Sequence, residues 1–96
     1  MTVDKVMALV ARSLRSRTMM ANSLCILAEE SQDGNQARTV VTIRTLRGVL
    51  ADISLIIDGD VSCLPIADLR NAQELLCGME ARIAAMEKVM GSETVH

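Results

Sequence analysis

The chain has 96 residues; half are hydrophobic, 23% are charged, and the formal net charge is -2. This composition is typical of one folded domain rather than a disordered segment. Phe, Tyr and Trp are absent, and the one histidine is the last residue, His96. The sequence therefore argues against aromatic base stacking, a cation–π cage, a histidine catalytic centre and a histidine metal site.

The first predicted helix spans residues 3–30 and is amphipathic. Its main apolar arc contains Val3, Val6, Met7, Leu9, Val10, Leu14, Met20, Ala21, Leu24, Cys25, Leu27 and Ala28. Met19 and Ile26 fall on a different face of this helix. Thr2 is a candidate N-cap, and the turn formers at 31–35 follow the helix.

The second predicted helix spans residues 36–58. Its apolar stripe contains Ile43, Leu46, Val49, Leu50, Ile53 and Ile57. Asp33 or Asn35 is the expected N-cap, and Gly59 is expected to close the helix in the left-handed conformation.

The segment 39–45 leaves a second interpretation open. It is rich in β-branched residues, and Asp58-Gly59 is a possible hairpin turn. Together they are compatible with an α+β fold that has a central hairpin. The helical phase of the apolar residues continues across the whole second segment, which favours a helix.

The third predicted helix spans residues 65–91, with Pro65 at an early position and Gly91 as its stop, before a tail at 92–96. Its apolar stripe contains Leu69, Ala72, Leu75, Leu76, Met79, Ile83, Met86 and Met90. Short connections make successive helices antiparallel. The prediction is an all-α fold: one domain over 1–96, built as an up-down-up three-helix bundle.

Apolar residues outnumber those that one small bundle can hide, so we expect a homodimer formed through helix faces. Methionine side chains are adaptable and suit a binding surface. The predicted partner-binding residues are Ile53, Leu55, Ile56, Ile57, Met79, Met86 and Met90.

Arg17 falls inside the apolar arc of the first helix, where a charge must be paired or reach solvent. Glu80 is the predicted partner, because it lies midway along the third helix at the edge of its apolar arc. An alternative role for Arg17 is to bind an anion in a cleft.

The three cysteines, Cys25, Cys63 and Cys77, form no Cys-x-x-Cys pair. We therefore expect reduced thiols in a cytoplasmic protein, with Cys77 the most reactive because it lies off the apolar arc. The sequence shows no signal peptide and no apolar stretch of transmembrane length.

These features favour a small regulatory or adaptor protein that binds other proteins, for example by sequestering a transcription factor or acting as a chaperone. No catalytic, cofactor-binding or metal-binding residue is predicted. One alternative is a helical dimer that binds nucleic acid through two arginine pairs, Arg12 with Arg15 and Arg44 with Arg47. A further alternative is a small helical enzyme with an anionic substrate.

Overall fold

The computed structural model describes residues 3–59, 61–62 and 64–94 and contains three helices. They are α1 (Val3–Ser31), α2 (Gln36–Asp58) and α3 (Ile66–Thr94). The described residues form no strand, so the α+β alternative is wrong and the all-α three-helix bundle is confirmed. The bundle is elongated and measures 57 × 20 × 16 Å.

The core is a seam of residues that recur at alternating spacings of three and four in every helix. This periodicity is the one found in coiled coils, and it keeps one narrow face of each helix turned toward its neighbours. The seam of α1 consists of Ala11, Leu14, Thr18, Ala21, Cys25 and Ala28. The seam of α2 consists of Thr39, Ile43, Leu46, Leu50 and Ile53. The seam of α3 consists of Ala72, Leu76, Met79, Ile83, Met86 and Met90, of which Leu76 and Met90 are half-buried.

Small side chains dominate the seam of α1, and they bring α1 and α2 closer together than either helix is to α3. Five residues of the predicted apolar arc of α1 are exposed rather than buried. They are Val3, Val6, Leu9, Met20 and Leu27. Alanine and threonine are buried in their place. The physical reason is the short distance between the two backbones, which favours small residues at the α1 seam positions other than Leu14.

The α1–α2 turn is held by Asn35, which confirms it as the N-cap of α2. Its side-chain oxygen accepts a hydrogen bond from the backbone N–H of Arg38 at 3.0 Å. The buried Thr39 hydroxyl lies 2.6 Å from the Ser31 hydroxyl and 3.1 Å from the Asn35 carbonyl oxygen. These contacts join the end of α1 to the start of α2.

The threonine hydroxyls of the β-branched segment are satisfied within the helix, since they donate to carbonyl groups of the preceding turn. Thr42 donates to the carbonyl of Arg38 at 2.7 Å, and Thr45 donates to the carbonyl of Val41 at 3.1 Å. Threonine in a helix commonly satisfies its hydroxyl in this way. Packing of Thr39 and Ile43 in the seam outweighs the β propensity of the segment.

Neither Gly59 nor Gly91 ends its helix in the left-handed conformation that the sequence predicts. Gly59 follows α2 with an extended backbone, and α3 continues through Gly91 to Thr94. None of the described glycines has a positive φ angle. The α2–α3 connection instead turns through a hydrogen bond from Leu64 N–H to the Val61 carbonyl, and Leu64 is buried beside the core. Thr2 lies outside the described residues.

Replacing Asn35 by Ala removes the acceptor for the Arg38 N–H. We expect the free energy of unfolding to fall by about 1 kcal/mol, measured by urea denaturation. Asp33→Ala is the matched control, because Asp33 is an exposed turn residue that does not cap α2. A loss for Asp33→Ala equal to that for Asn35→Ala would contradict this assignment.

Candidate functional site

Arg17 contacts α2 rather than α3. Its Nε atom lies 3.7 Å from Oδ2 of Asp52, and its guanidinium also donates to the hydroxyl of Ser13. Glu80 lies elsewhere, in a hollow that it shares with Arg47 and other residues of α2 and α3. The predicted Arg17–Glu80 pair is therefore replaced by Arg17–Asp52, because the Arg17 side of α1 faces α2. Both partners are partly exposed, so neither is a buried charge.

Two ion pairs join α1 to α3. Arg15 donates to Asp68 at 3.0 Å, and the guanidinium of Arg82 donates to both carboxylate oxygens of Glu29, with Nε at 3.1 Å. The partners are separated by 53 residues in both pairs. A constant separation means that α1 and α3 run parallel, as the up-down-up topology requires.

The Glu29–Arg82 pair changes the electrostatics near the turn end of α1. Hydrogen bonding from Arg82 lowers the pKa of Glu29, and the same bonds raise the pKa of Arg82. Cys25 lies nearby in the seam, and burial raises the pKa of its thiol. A buried thiol with a raised pKa is a poor nucleophile.

The predicted partner-binding residues divide between the core and the surface. Ile53, Met79 and Met86 are at most 3% exposed and belong to the core of the bundle. They are seam residues, and the bundle itself occupies their faces. Among the remaining predicted residues, Leu55 is 72% exposed. The other three predicted residues are half-buried and pack against the core: Ile56, Ile57 and Met90.

Met90 lines an open groove between the first half of α2 and the last part of α3, which we call the α2–α3 groove. Its volume is about 210 Å³, and its apolar lining is formed by Val40, Ile43 and Met90. Val40 is 44% exposed and therefore accessible from solvent.

Charged residues complete the α2–α3 groove. Arg47 of α2 and Glu87 of α3 form an ion pair between the two helices. Arg44 also lines the groove, and among the described residues it has no ion-pair partner. The groove thus combines an apolar lining with one cation that is available to a ligand.

The sequence alone did not indicate Val40, Arg44 or Glu87 as neighbours. Val40 and Glu87 are on different helices and far apart in the chain, and no local pattern relates them. Met90 is among the predicted partner-binding residues, whereas Ile43 is predicted only as part of the apolar stripe of the second helix.

The four arginines of the nucleic-acid alternative lie in two separate places. Arg12 and Arg15 line a hollow beside Pro65, whereas Arg44 and Arg47 line the α2–α3 groove. Arg15 and Arg47 are each paired with a carboxylate. Two of the four charges are therefore already compensated within the bundle.

Two further features concern metals and membranes. Within residues 3–59, 61–62 and 64–94, no group of three or more His, Cys, Asp or Glu side chains is arranged to hold a metal ion. In the same residues, no helix has the length and apolar character needed to cross a membrane.

Comparison of the chain with protein-family models, with curated proteins and with solved structures finds no match. Function is therefore inferred from the residues and geometry of the bundle itself.

Replacing Glu29 by Gln should lower the free energy of unfolding at pH 7 by roughly 0.5 kcal/mol, since the pair is partly exposed to solvent. The folded-state pKa of Glu29 is lowered, so its stabilisation is present above the unfolded-state value near 4.5 and is lost as the pH falls through the folded-state pKa. Urea denaturation should show the two proteins converging in acid. Glu80→Gln is the control and should match the parent at both pH values.

The two described cysteines should differ sharply in reactivity. Cys77 is exposed and Cys25 is fully buried, so a thiol reagent should modify Cys77 in the native protein and Cys25 only on unfolding. Peptide mapping after brief labelling distinguishes them. Equal labelling of Cys25 and Cys77 in the native protein would show that the α1 seam opens. Cys63 lies outside the described residues.

Proposed function

We propose that this protein is a small helical module that regulates or scaffolds another protein by binding it through the α2–α3 groove. The observation that supports this proposal is the solvent-accessible apolar lining next to an unpaired arginine. Grooves between helices commonly accept the apolar face of a partner helix. The proposal involves no catalysis, and the expectation of a non-enzymatic protein stays a prediction.

The size of the groove favours a protein ligand over a metabolite. Its volume of about 210 Å³ is below the roughly 300–1,000 Å³ of typical small-molecule sites. A depression of this size suits one or two apolar side chains that project from a larger partner surface. The rest of the partner then contacts the charged rim.

The chemistry of the rim specifies the partner further. Arg44 needs an anionic complement, because charges across an interface are generally arranged in opposite-sign pairs. The proposed ligand is therefore an amphipathic helix with apolar anchors and an acidic residue beside them. Sequestering a transcription factor and presenting a client as an adaptor are both compatible with such a ligand. The predicted homodimer and the predicted cytoplasmic location stay predictions.

A pair of neighbouring substitutions tests the groove. Val40 lines it, whereas Val41 does not line it and is 59% exposed. Partners captured from a native lysate are identified by mass spectrometry and then purified for binding measurements. Val40→Lys should weaken binding of the purified partner at least tenfold, and Val41→Lys should leave the affinity unchanged. Equal effects of the two lysines would contradict the groove as the binding site.

Salt dependence separates this proposal from nucleic-acid binding. Docking of an apolar face with one ion pair should lose less than about tenfold in affinity between 50 and 200 mM salt, whereas six to ten phosphate contacts lose about 10³–10⁵. Capture of only nuclease-sensitive, salt-labile material would favour the nucleic-acid alternative.

A further inference from the structure

The side of α1 that points away from the bundle carries an apolar surface, which we call the α1 outer face. It is defined by Ser16, Met19, Ser23 and Ile26, all of them exposed. Met19 is 70% exposed and Ile26 is 50% exposed. The spacings of three, four and three place these residues on one line along the helix. Met20 and Leu27 are also exposed, and they widen the α1 outer face on one side.

The centre of the α1 outer face has no charge. No charged residue occurs between Arg17 and Glu29, and Arg17 itself turns toward Asp52 of α2. Solvent-facing helix surfaces normally carry charged residues. A two-turn stretch of methionine, isoleucine and serine without them is typical of a surface that is covered by another helix.

Charges occur at the two ends of this face. Arg12 lies four residues before Ser16, and Glu30 lies four residues after Ile26, so both continue the same line. Both are exposed, and neither belongs to an ion pair among the described residues. The line therefore begins with a cation and ends with an anion.

We propose that two copies of this chain pack antiparallel through their α1 outer faces, related by a two-fold axis level with Ala21. This arrangement sets Arg12 against Glu30 of the second copy, and by symmetry forms the same pair again at the other end. A parallel arrangement would set Arg12 against Arg12, which like-charge repulsion disfavours. Charge complementarity thus selects the second copy and its direction.

The apolar centre fits the same arrangement. The axis that brings Arg12 to Glu30 also places Met19 against Ser23 of the second copy, and Ser16 against Ile26. Each large side chain meets a small one in both pairs, as close packing between helices requires. This pairing of large with small side chains follows from the residue positions along α1 and requires no change in the fold of either copy.

The α2–α3 groove lies outside the α1 outer face, so dimerisation and partner binding are independent proposals.

Sedimentation velocity tests the apolar part of the interface. The parent protein should sediment at twice 10.4 kDa, and Ile26→Lys should sediment as a monomer with unchanged helical content by circular dichroism. Leu55→Lys is the matched control: Leu55 is 72% exposed but lies on α2, and its substitution should leave the dimer intact. Val40→Lys should also leave it intact, which separates this test from that of the groove.

A charge exchange tests the direction of packing. Arg12→Glu alone and Glu30→Arg alone should each raise the dimer dissociation constant about tenfold, because two symmetry-related pairs change together. The double variant Arg12→Glu/Glu30→Arg should restore the parent value. A monomeric parent protein, or a double variant weaker than both single variants, would overturn the proposal.

Discussion

The close approach of α1 and α2 is the constraint on which the rest of the bundle depends. Ala11, Ala21 and Ala28 lie on the α1 seam together with Thr18 and Cys25, and none of them has a long side chain. The two backbones therefore come close enough for Leu14, Leu46 and Ile53 to be excluded from water. A larger residue at these positions would force the helices apart, since well-packed interiors tolerate added volume poorly.

The third helix is held in a different way. Methionine is prominent in its seam, and flexible side chains of this kind fill irregular space between helices that are farther apart. The parallel register of α3 against α1 is marked by two ion pairs with the same sequence separation, Arg15–Asp68 and Glu29–Arg82. Being partly exposed, these pairs contribute little stability, but they oppose a shift of α3 along α1 because each charge would lose its partner.

Burying small residues between α1 and α2 leaves larger apolar residues on the outside. Met19 and Ile26 remain exposed on α1 because its narrow seam is already satisfied, and Val40 remains at the rim of the α2–α3 groove. The two surfaces differ in chemistry: the α1 outer face is apolar and ends in opposite charges, whereas the groove is bordered by arginine. We propose that the first binds a second copy and the second binds a different protein.

Periodicity by itself determined the number and type of the helices, because an apolar repeat of three and four is local information. The sequence also narrowed the N-cap of α2 to Asp33 or Asn35, and the structure shows that Asn35 caps the helix. Tertiary structure alone decided which residues of the predicted apolar arcs are buried: Met79 and Met86 are inside, whereas Met20 and Leu27 are outside. It also decided that Arg17 pairs with Asp52 and not with Glu80. The physical reason is that hydrophobicity marks a face of a helix, whereas burial and ion pairing depend on which neighbour that face meets and at what distance.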